Sequence, residues 1–282
     1  MAIVNFIPEI WAASNLAYQD KALVYGNIIN RNYEGEIAKY GDTVHINQLG
    51  DITTFAYTKN TDMTAAETLD DSTSALSIDQ QRAFNFVIDD VDKAQTNPKL
   101  MTEAMKRAAV ALAQDKDVFI AGLYTGVEAA NIVGLGSDAT ALVLTATNVY
   151  DTFVTAGILL DEANVPADGR WVVIAPWMKA LILKSDDFTG ASALGDDVKV
   201  NGRIGMVAGF DVYVSNNVIN TAGAKYKVMF GTDAAITFAD QLQEVVAYTP
   251  ELRFGDAVKG LDLYGGKLVQ TSGIALGTFS KS

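Results

Sequence analysis

The residue best suited to acid–base chemistry in this chain is its single histidine. His45 alternates with Val44 and Ile46 and falls on the polar face of a predicted strand. A catalytic triad needs a histidine held between a nucleophile and an acid, and a hairpin strand supplies neither neighbour. The sequence therefore favours an ordinary surface role for His45.

Carboxylates are the other candidates for catalysis, because aspartates occur in adjacent pairs. The pairs are Asp70 and Asp71, Asp89 and Asp90, Asp186 and Asp187, and Asp196 and Asp197. Glycoside hydrolysis needs two carboxylates that face each other across a cleft, whereas adjacent side chains on an extended chain point in opposite directions. The pairs therefore indicate solvated loops, turns and helix caps.

The sequence contains no complete motif for a metal, a cofactor or a phosphate group. Asp90 and Asp92 could begin a calcium loop, but the glycine and the distal glutamate of that loop are missing. Glycines at positions 202, 205 and 209 match no phosphate-binding pattern and predict a tight connection before a strand. The absence of cysteine excludes disulfides and thiolate chemistry. We therefore expect neither a cofactor nor a metal, and no enzymatic activity.

Charge and hydropathy narrow the possible partners. The 282 residues carry a formal charge of −13, and the 21 basic residues do not cluster, so tight binding to nucleic acid is disfavoured. No apolar run approaches the roughly 18 residues that a membrane helix needs. The first residues lack the basic start of a secretory signal, which predicts a protein that is cytosolic when synthesised.

The most regular pattern that could position these residues extends from Gly41 to Asp92. Apolar and polar residues alternate around 43–47 and again along a single return strand over 76–89, and a polar crest lies between them. A two-stranded arm is marginally stable alone in water. We therefore expect it to be ordered against another copy of the chain.

Other elements follow from periodicity and from turn residues. Asn97 and Pro98 begin a predicted amphipathic helix of about 25 residues that ends near 122–126 and leaves Lys116 and Asp117 on its polar side. Residues 130–240 predict a mixed α/β domain. It contains a helix from Val149 capped by Asn148, a buried strand over 170–175 and a helix over 177–184. Strands are expected again at 245–248, 252–254 and 260–265, paired with the region before the α/β domain.

Several short motifs resemble the major capsid protein of tailed double-stranded-DNA bacteriophages, and their order spans nearly the whole chain. They are Phe6-x-Pro8-Glu9-Ile10-Trp11, the stretch from Gly41 to Ile46, Phe86-x-Ile88-Asp89-Asp90, Gly202 to Gly205, Gly209 to Asn216, Gly260 to Gly265, and Gly277 to Ser280. The resemblance implies an α+β capsid fold. It divides the chain into an N-terminal arm (1–40), an extended β-hairpin loop (41–90), a peripheral domain with a long spine helix (91–129 and 241–268) and an inserted α/β axial domain (130–240 and 269–282).

The same resemblance implies a structural protein that assembles through pentamers and hexamers into an icosahedral shell around double-stranded DNA. Its implied partners are itself, and scaffolding, portal and decoration proteins, with DNA enclosed without sequence-specific binding and no membrane. Its implied location is the virion capsid, assembled in the host cytoplasm. Candidate contacts between subunits are Trp11, Lys59, Asp62, Met63, Glu67, Asp70, Asp71, Arg82, Arg107 and Arg203.

Two alternatives stay open at the level of sequence. An encapsulin-like nanocompartment shares the fold and would enclose an enzyme instead of a genome. A carboxylate-dependent hydrolase would place an aspartate pair in the α/β domain.

Some members of the resembling family join a lysine to an asparagine of a neighbour. Lys59 and Asn60 lie in the corresponding loop, but no glutamate for that chemistry is evident.

Overall fold

The computed structural model describes residues 24–32, 43–49, 54, 56, 59–60, 62, 71–89, 100–132, 134–185, 205–252 and 254–281. Within them the α-helices are α1 (Leu100–Gly122), α2 (Val149–Glu162) and α3 (Pro176–Lys184). The strands are β1 (Thr43–Leu49), β2 (Asp71–Ser77), β3 (Gln80–Asp89), β4 (Leu142–Leu144), β5 (Arg170–Ile174), β6 (Met206–Val207), β7 (Phe210–Val214), β8 (Asn220–Thr221), β9 (Lys225–Thr232), β10 (Ile236–Tyr248), β11 (Gly255–Leu268) and β12 (Ile274–Lys281).

The largest sheet among the described residues has seven strands. Six of them lie within residues 130–240, where the sequence predicts a mixed α/β domain, and the seventh, β12, comes later in the chain. The sheet has the order β4-β12-β9-β5-β7-β6, and β8 pairs with β9. All five residues of β5 are buried, as expected for a central strand with both faces covered. The predicted buried strand over 170–175 is confirmed. The connection between β6 and β7 is tight, with Ala208 and Gly209 both at positive φ, which confirms the turn predicted before that strand.

Helix α2 packs on this sheet through the stripe that its periodicity predicts. Val149, Phe153, Ala156 and Leu160 are all buried at steps of three and four residues. One of these residues, Phe153, packs against Phe230 of β9. The two rings lie 5.3 Å apart in an edge-to-face arrangement. Aromatic pairs in this geometry favour one unique packing of the core.

The first residues of α2 and α3 show where local rules succeed and fail. Helix α3 begins at Pro176, as a proline at the first turn predicts. Asn148, however, makes no side-chain bond to the first turn of α2. Its Oδ1 accepts from Thr145 N–H at 2.8 Å, and its Nδ2 donates to the Val143 carbonyl at 2.9 Å. The predicted side-chain cap is therefore wrong, because the asparagine instead closes the turn between β4 and α2.

A second, antiparallel sheet has the order β10-β11-β3, and α1 lies on one of its faces. Strand β3 precedes the α/β region and β11 follows it, so the predicted pairing of the last segment with the earlier region is confirmed. The strand predicted at 252–254 is wrong. Leu252 lies in the turn between β10 and β11. The flanking Pro250 and Gly255 disfavour a continuous ladder there.

The return strand of the predicted hairpin is two strands instead of one. β2 pairs with β1, whereas β3 pairs with β11 in the other sheet. The division falls at Ile78, because Leu76 and Ile78 are both buried in a small cluster with Leu263 and Ala239. Gly265 makes this corner possible, since a Cβ there would lie 2.2 Å from the Ser77 carbonyl oxygen. Strand β3, the second part of the predicted two-stranded arm, therefore pairs with a strand of its own chain.

Candidate assembly surfaces

A buried cluster of four charged side chains fastens the segment 24–32 to both β10 and α1. Lys116 Nζ lies 2.5 Å from Asp240 Oδ2 and 2.8 Å from Asp262 Oδ2, and Arg31 lies 2.8 Å from Asp240 Oδ1. Lys116 and Asp262 are wholly buried. Two cations and two carboxylates balance their charges, which is the condition under which buried ions are tolerated.

The neighbouring Asp117 also holds the segment 24–32 against α1. Its carboxylate accepts from the Val24 N–H at 3.2 Å and from Asn217 Nδ2 at 3.3 Å. It therefore joins α1, the segment 24–32 and the loop after β7. Burial raises the pKa of Asp117, and hydrogen bonds from Val24, Asn217, Tyr25 and Gly26 oppose the rise in part.

This raised pKa predicts a dependence of stability on pH. The folded protein holds the Asp117 proton more tightly than the unfolded chain, so stability falls as the pH rises from the ordinary carboxyl range through the folded-state pKa. The variant Asp117→Asn cannot ionise. We expect its free energy of unfolding to increase relative to that of wild type between about pH 4 and about pH 7, because only wild type loses stability over this range. Urea unfolding at both pH values measures this, and a constant difference would contradict it.

The sequence places Lys116 and Asp117 on the polar side of the helix, and this is wrong, because both are buried. The sequence nevertheless contains a pattern that indicates burial of Lys116. Met105, Ala109, Leu112 and Ile120 form the buried stripe of α1, and Lys116 stands four residues from the last two. Periodicity identifies the position, but the partners at 240 and 262 are distant in sequence and invisible to it.

The most exposed large apolar side chains lie at the turn between β10 and β11. Leu252 is 96% exposed and Phe254 is 87% exposed. We call these two residues the apolar tip. Exposed apolar residues are common singly, but two large ones at the end of a long hairpin indicate a contact surface. The sequence pattern predicts a strand at this position, although the turn residues Pro250 and Gly255 indicate a turn.

Further apolar exposure occurs at both edges of the seven-stranded sheet. Met206 on β6 is 61% exposed and Tyr213 on β7 is 39% exposed, whereas Val143 on β4, at the opposite edge, is 48% exposed. The outer face of α1 adds Val110 and Val118. A protein with complementary patches on opposite sides can make head-to-tail contacts.

The predicted contact residues are dispersed over the described part of the chain. Lys59 and Asp62 are exposed. Arg82 is exposed on β3, 3.6 Å from Asp115 of α1, and Arg107 is exposed on α1. Asp71 begins β2, and its side chain lies outside the described residues. Trp11, Met63, Glu67, Asp70 and Arg203 also lie outside them. The structure brings Arg82 close to α1 and gathers no other candidates together.

Among the residues that the structure describes, no three histidine, cysteine or carboxylate residues are grouped so that they could hold a metal ion. None of the helices described is long and apolar enough to span a bilayer. Of the paired aspartates, 70, 90, 186, 187, 196 and 197 lie outside the described residues, as do the candidate calcium residues 90–92.

A sequence profile of the family described as phage capsid protein matches residues 71–275. The chain belongs to this family. A chain of Mycobacterium phage Che8 has a similar fold, with a TM-score of 0.72 and 29% identity over 91% of this chain and 90% of that one. The capsid of the cyanophage P-SCSP1u matches with a TM-score of 0.72 and 14% identity, over 92% and 88% of the two chains.

A virus-like particle from Pyrococcus furiosus also shares the fold, with a TM-score of 0.58 and 12% identity, over 96% of this chain and 98% of that one. No curated protein sequence matches this chain. The resemblance to major capsid proteins and the expected α+β capsid fold are confirmed. This capsid protein is a structural, shell-forming component of a bacteriophage virion.

Proposed function

We propose that this capsid protein assembles through pentamers and hexamers into an icosahedral shell that encloses double-stranded DNA. The observation that carries this proposal is the apolar tip. A protein that stayed monomeric would leave Leu252 and Phe254 in water. Covering each side chain at a contact would contribute about 1.5–3 kcal/mol before the costs of association.

The edges of the seven-stranded sheet support ring formation. In this proposal, Met206 and Tyr213 of one subunit lie against the β4 edge of the next, around Val143. A contact between two different surfaces repeats around an axis and closes when its rotation divides a full turn. Five and six copies would then differ only by a small change in that rotation.

The hairpin is proposed to extend over a neighbouring subunit, as the resemblance implies. The two-stranded sheet of β1 and β2 pairs with no further strand among the described residues, so its outer backbone groups are available for hydrogen bonds. We retain Trp11, Lys59, Asp62, Met63, Glu67, Asp70, Asp71, Arg82, Arg107 and Arg203 as proposed contacts. We also retain the proposed division into arm (1–40), loop (41–90), peripheral domain (91–129 and 241–268) and axial domain (130–240 and 269–282).

The interaction with DNA is proposed to be enclosure without sequence-specific contact. A chain with a formal charge of −13 repels phosphate groups, so an acidic inner wall would leave the genome free to be packed and released. Scaffolding, portal and decoration proteins are proposed as further partners, with assembly in the host cytoplasm before incorporation into the virion.

We further propose that the protein has no catalytic activity, so the carboxylate-dependent hydrolase is the weaker alternative. A nanocompartment is also less favoured, because the matching family is that of phage capsids and the chain of Mycobacterium phage Che8 is 29% identical. Electron microscopy of the purified recombinant protein tests the proposal. Closed shells, pentamers or hexamers are expected, and a monomer at high concentration would contradict it.

The apolar tip gives this experiment a specific variant. We expect the double substitution Leu252→Ser and Phe254→Ser to prevent closed shells, because it removes the apolar area that a neighbour would cover. The substitution Glu251→Ser in the same turn is the matched control and should assemble normally. Sedimentation velocity measures the particles, and thermal unfolding of the subunits should be unchanged. Shells of the double variant at wild-type yield would exclude the tip as a contact.

A further inference from the structure

A cavity of about 380 Å³ lies at one end of the seven-stranded sheet. β5 runs parallel to β7, and both β5 and β12 are antiparallel to β9, so β5, β7 and β12 all point the same way. The cavity is lined by Pro176 just after β5, Asn216 just after β7 and Lys281 at the end of β12. In open α/β sheets, ligands bind outside the carboxyl ends of parallel strands.

Lys281 is an exposed side chain in the lining of this cavity, and it lies beside two aromatic rings. Lys281 Nζ lies 5.9 Å from the centroid of the Trp177 ring and 5.8 Å from that of Tyr226, and the two rings are 5.3 Å apart. Contact with ring faces restrains the ammonium group without using its N–H groups as a carboxylate would. The charge is thereby positioned in advance for an incoming acceptor.

The remaining lining adds donors and no negative charge. Asn216 and Asn220 contribute amide groups, and the cavity walls among the described residues contain no aspartate or glutamate. The indole N–H of Trp177 is buried and has no hydrogen-bond partner among the described residues.

We propose that this cavity is a binding site for a small oxyanion, a phosphate or a carboxylate group. Lys281 supplies the opposing charge, and the two asparagine side chains supply hydrogen-bond donors. The site belongs to one subunit and does not depend on the shell, so it can be tested whether or not the proposed assembly is correct. Neither a proton nor a covalent bond is transferred.

Isothermal titration of the full-length protein with sodium phosphate at an ionic strength of about 0.1 M tests the proposal. Wild type is expected to show saturable binding, and Lys281→Met is expected to weaken it about tenfold, as loss of a charge-assisted hydrogen bond does. Lys184→Met is the matched control. It removes the same charge from the exposed end of α3 and should leave binding within about twofold of wild type, because exposed charges at a distance are screened.

A parallel titration with sodium acetate distinguishes the source of the oxyanion, because a phosphate site prefers phosphate and a carboxylate site binds acetate at least as well. The second variant, Lys281→Glu, places a negative charge in the cavity and should abolish binding of either anion. Absence of saturable binding of both anions to wild type would overturn the proposal. Equal weakening by the substitutions at 184 and 281 would also overturn it, since it would indicate a general effect of charge.

Discussion

Replacement of Lys116 by methionine is expected to lower the free energy of unfolding of the subunit by about 3–5 kcal/mol. Methionine has a similar length and can fill the space of the lysine side chain. The loss of stability therefore reports the missing charge and not a change in volume. The ammonium group lies between Asp240 and Asp262, at 2.5 Å and 2.8 Å. Without it, two carboxylates face each other in the interior with only Arg31 to oppose them among the four charges of the cluster.

Urea unfolding of the unassembled subunit is the measurement, with Arg82→Ala as the control. Arg82 also pairs with an aspartate close to α1, but at 3.6 Å and with both side chains about half exposed. Its removal should cost much less stability than that of Lys116, because exposed ion pairs contribute little. If both variants lost the same small amount of stability, the buried cluster would not be a major support of the fold.

The second large effect is expected from Gly265→Ala, which adds a single methyl group. An alanine Cβ would lie 2.2 Å from the Ser77 carbonyl oxygen and 3.0 Å from Ile78 Cα. Both are backbone atoms, so no side-chain rotation can relieve the overlap. The corner between β2 and β3 must move, and we expect a loss of about 1–3 kcal/mol, the usual cost of overpacking.

Gly122→Ala is the matched control for this prediction. Gly122 ends α1, and no atom lies within 4 Å of where its Cβ would be. Alanine is the better helix former by about 1 kcal/mol, so this variant should be as stable as wild type or more so. Thermal unfolding compares the two, and electron microscopy then shows whether the shifted corner also reduces shell formation. Unchanged stability of Gly265→Ala would mean that the backbone separates there without strain.

Elements that are determined by local periodicity could be predicted from the sequence. Helix α2 shows its stripe, α3 shows its initial proline, and β5 shows a short apolar run between turn residues. Each pattern is contained in fewer than about 15 residues. The order of such elements, together with short motifs, was also sufficient to identify the capsid family.

Features that depend on distant partners could not be predicted. Lys116 is buried because of Asp240, which lies 124 positions away, and no rule of spacing connects them. The return strand divides at Ile78 because β2 pairs with β1 whereas β3 pairs with β11. The alternation of polar and apolar residues continues across this division, so the sequence does not reveal it. The apolar tip was missed because Leu252 and Phe254 also fit a strand pattern, and only pairing decides between strand and turn.

The connection between the earliest described segment and late strands has a consequence for synthesis on the ribosome. Arg31 meets its partner 209 positions later, and β3 remains unpaired in its sheet until β11 has been translated. A nascent chain therefore displays an incomplete protomer for most of its elongation. The subunit fold is complete only when translation is nearly finished. We therefore expect truncated products to lack the fold that incorporation into a particle requires.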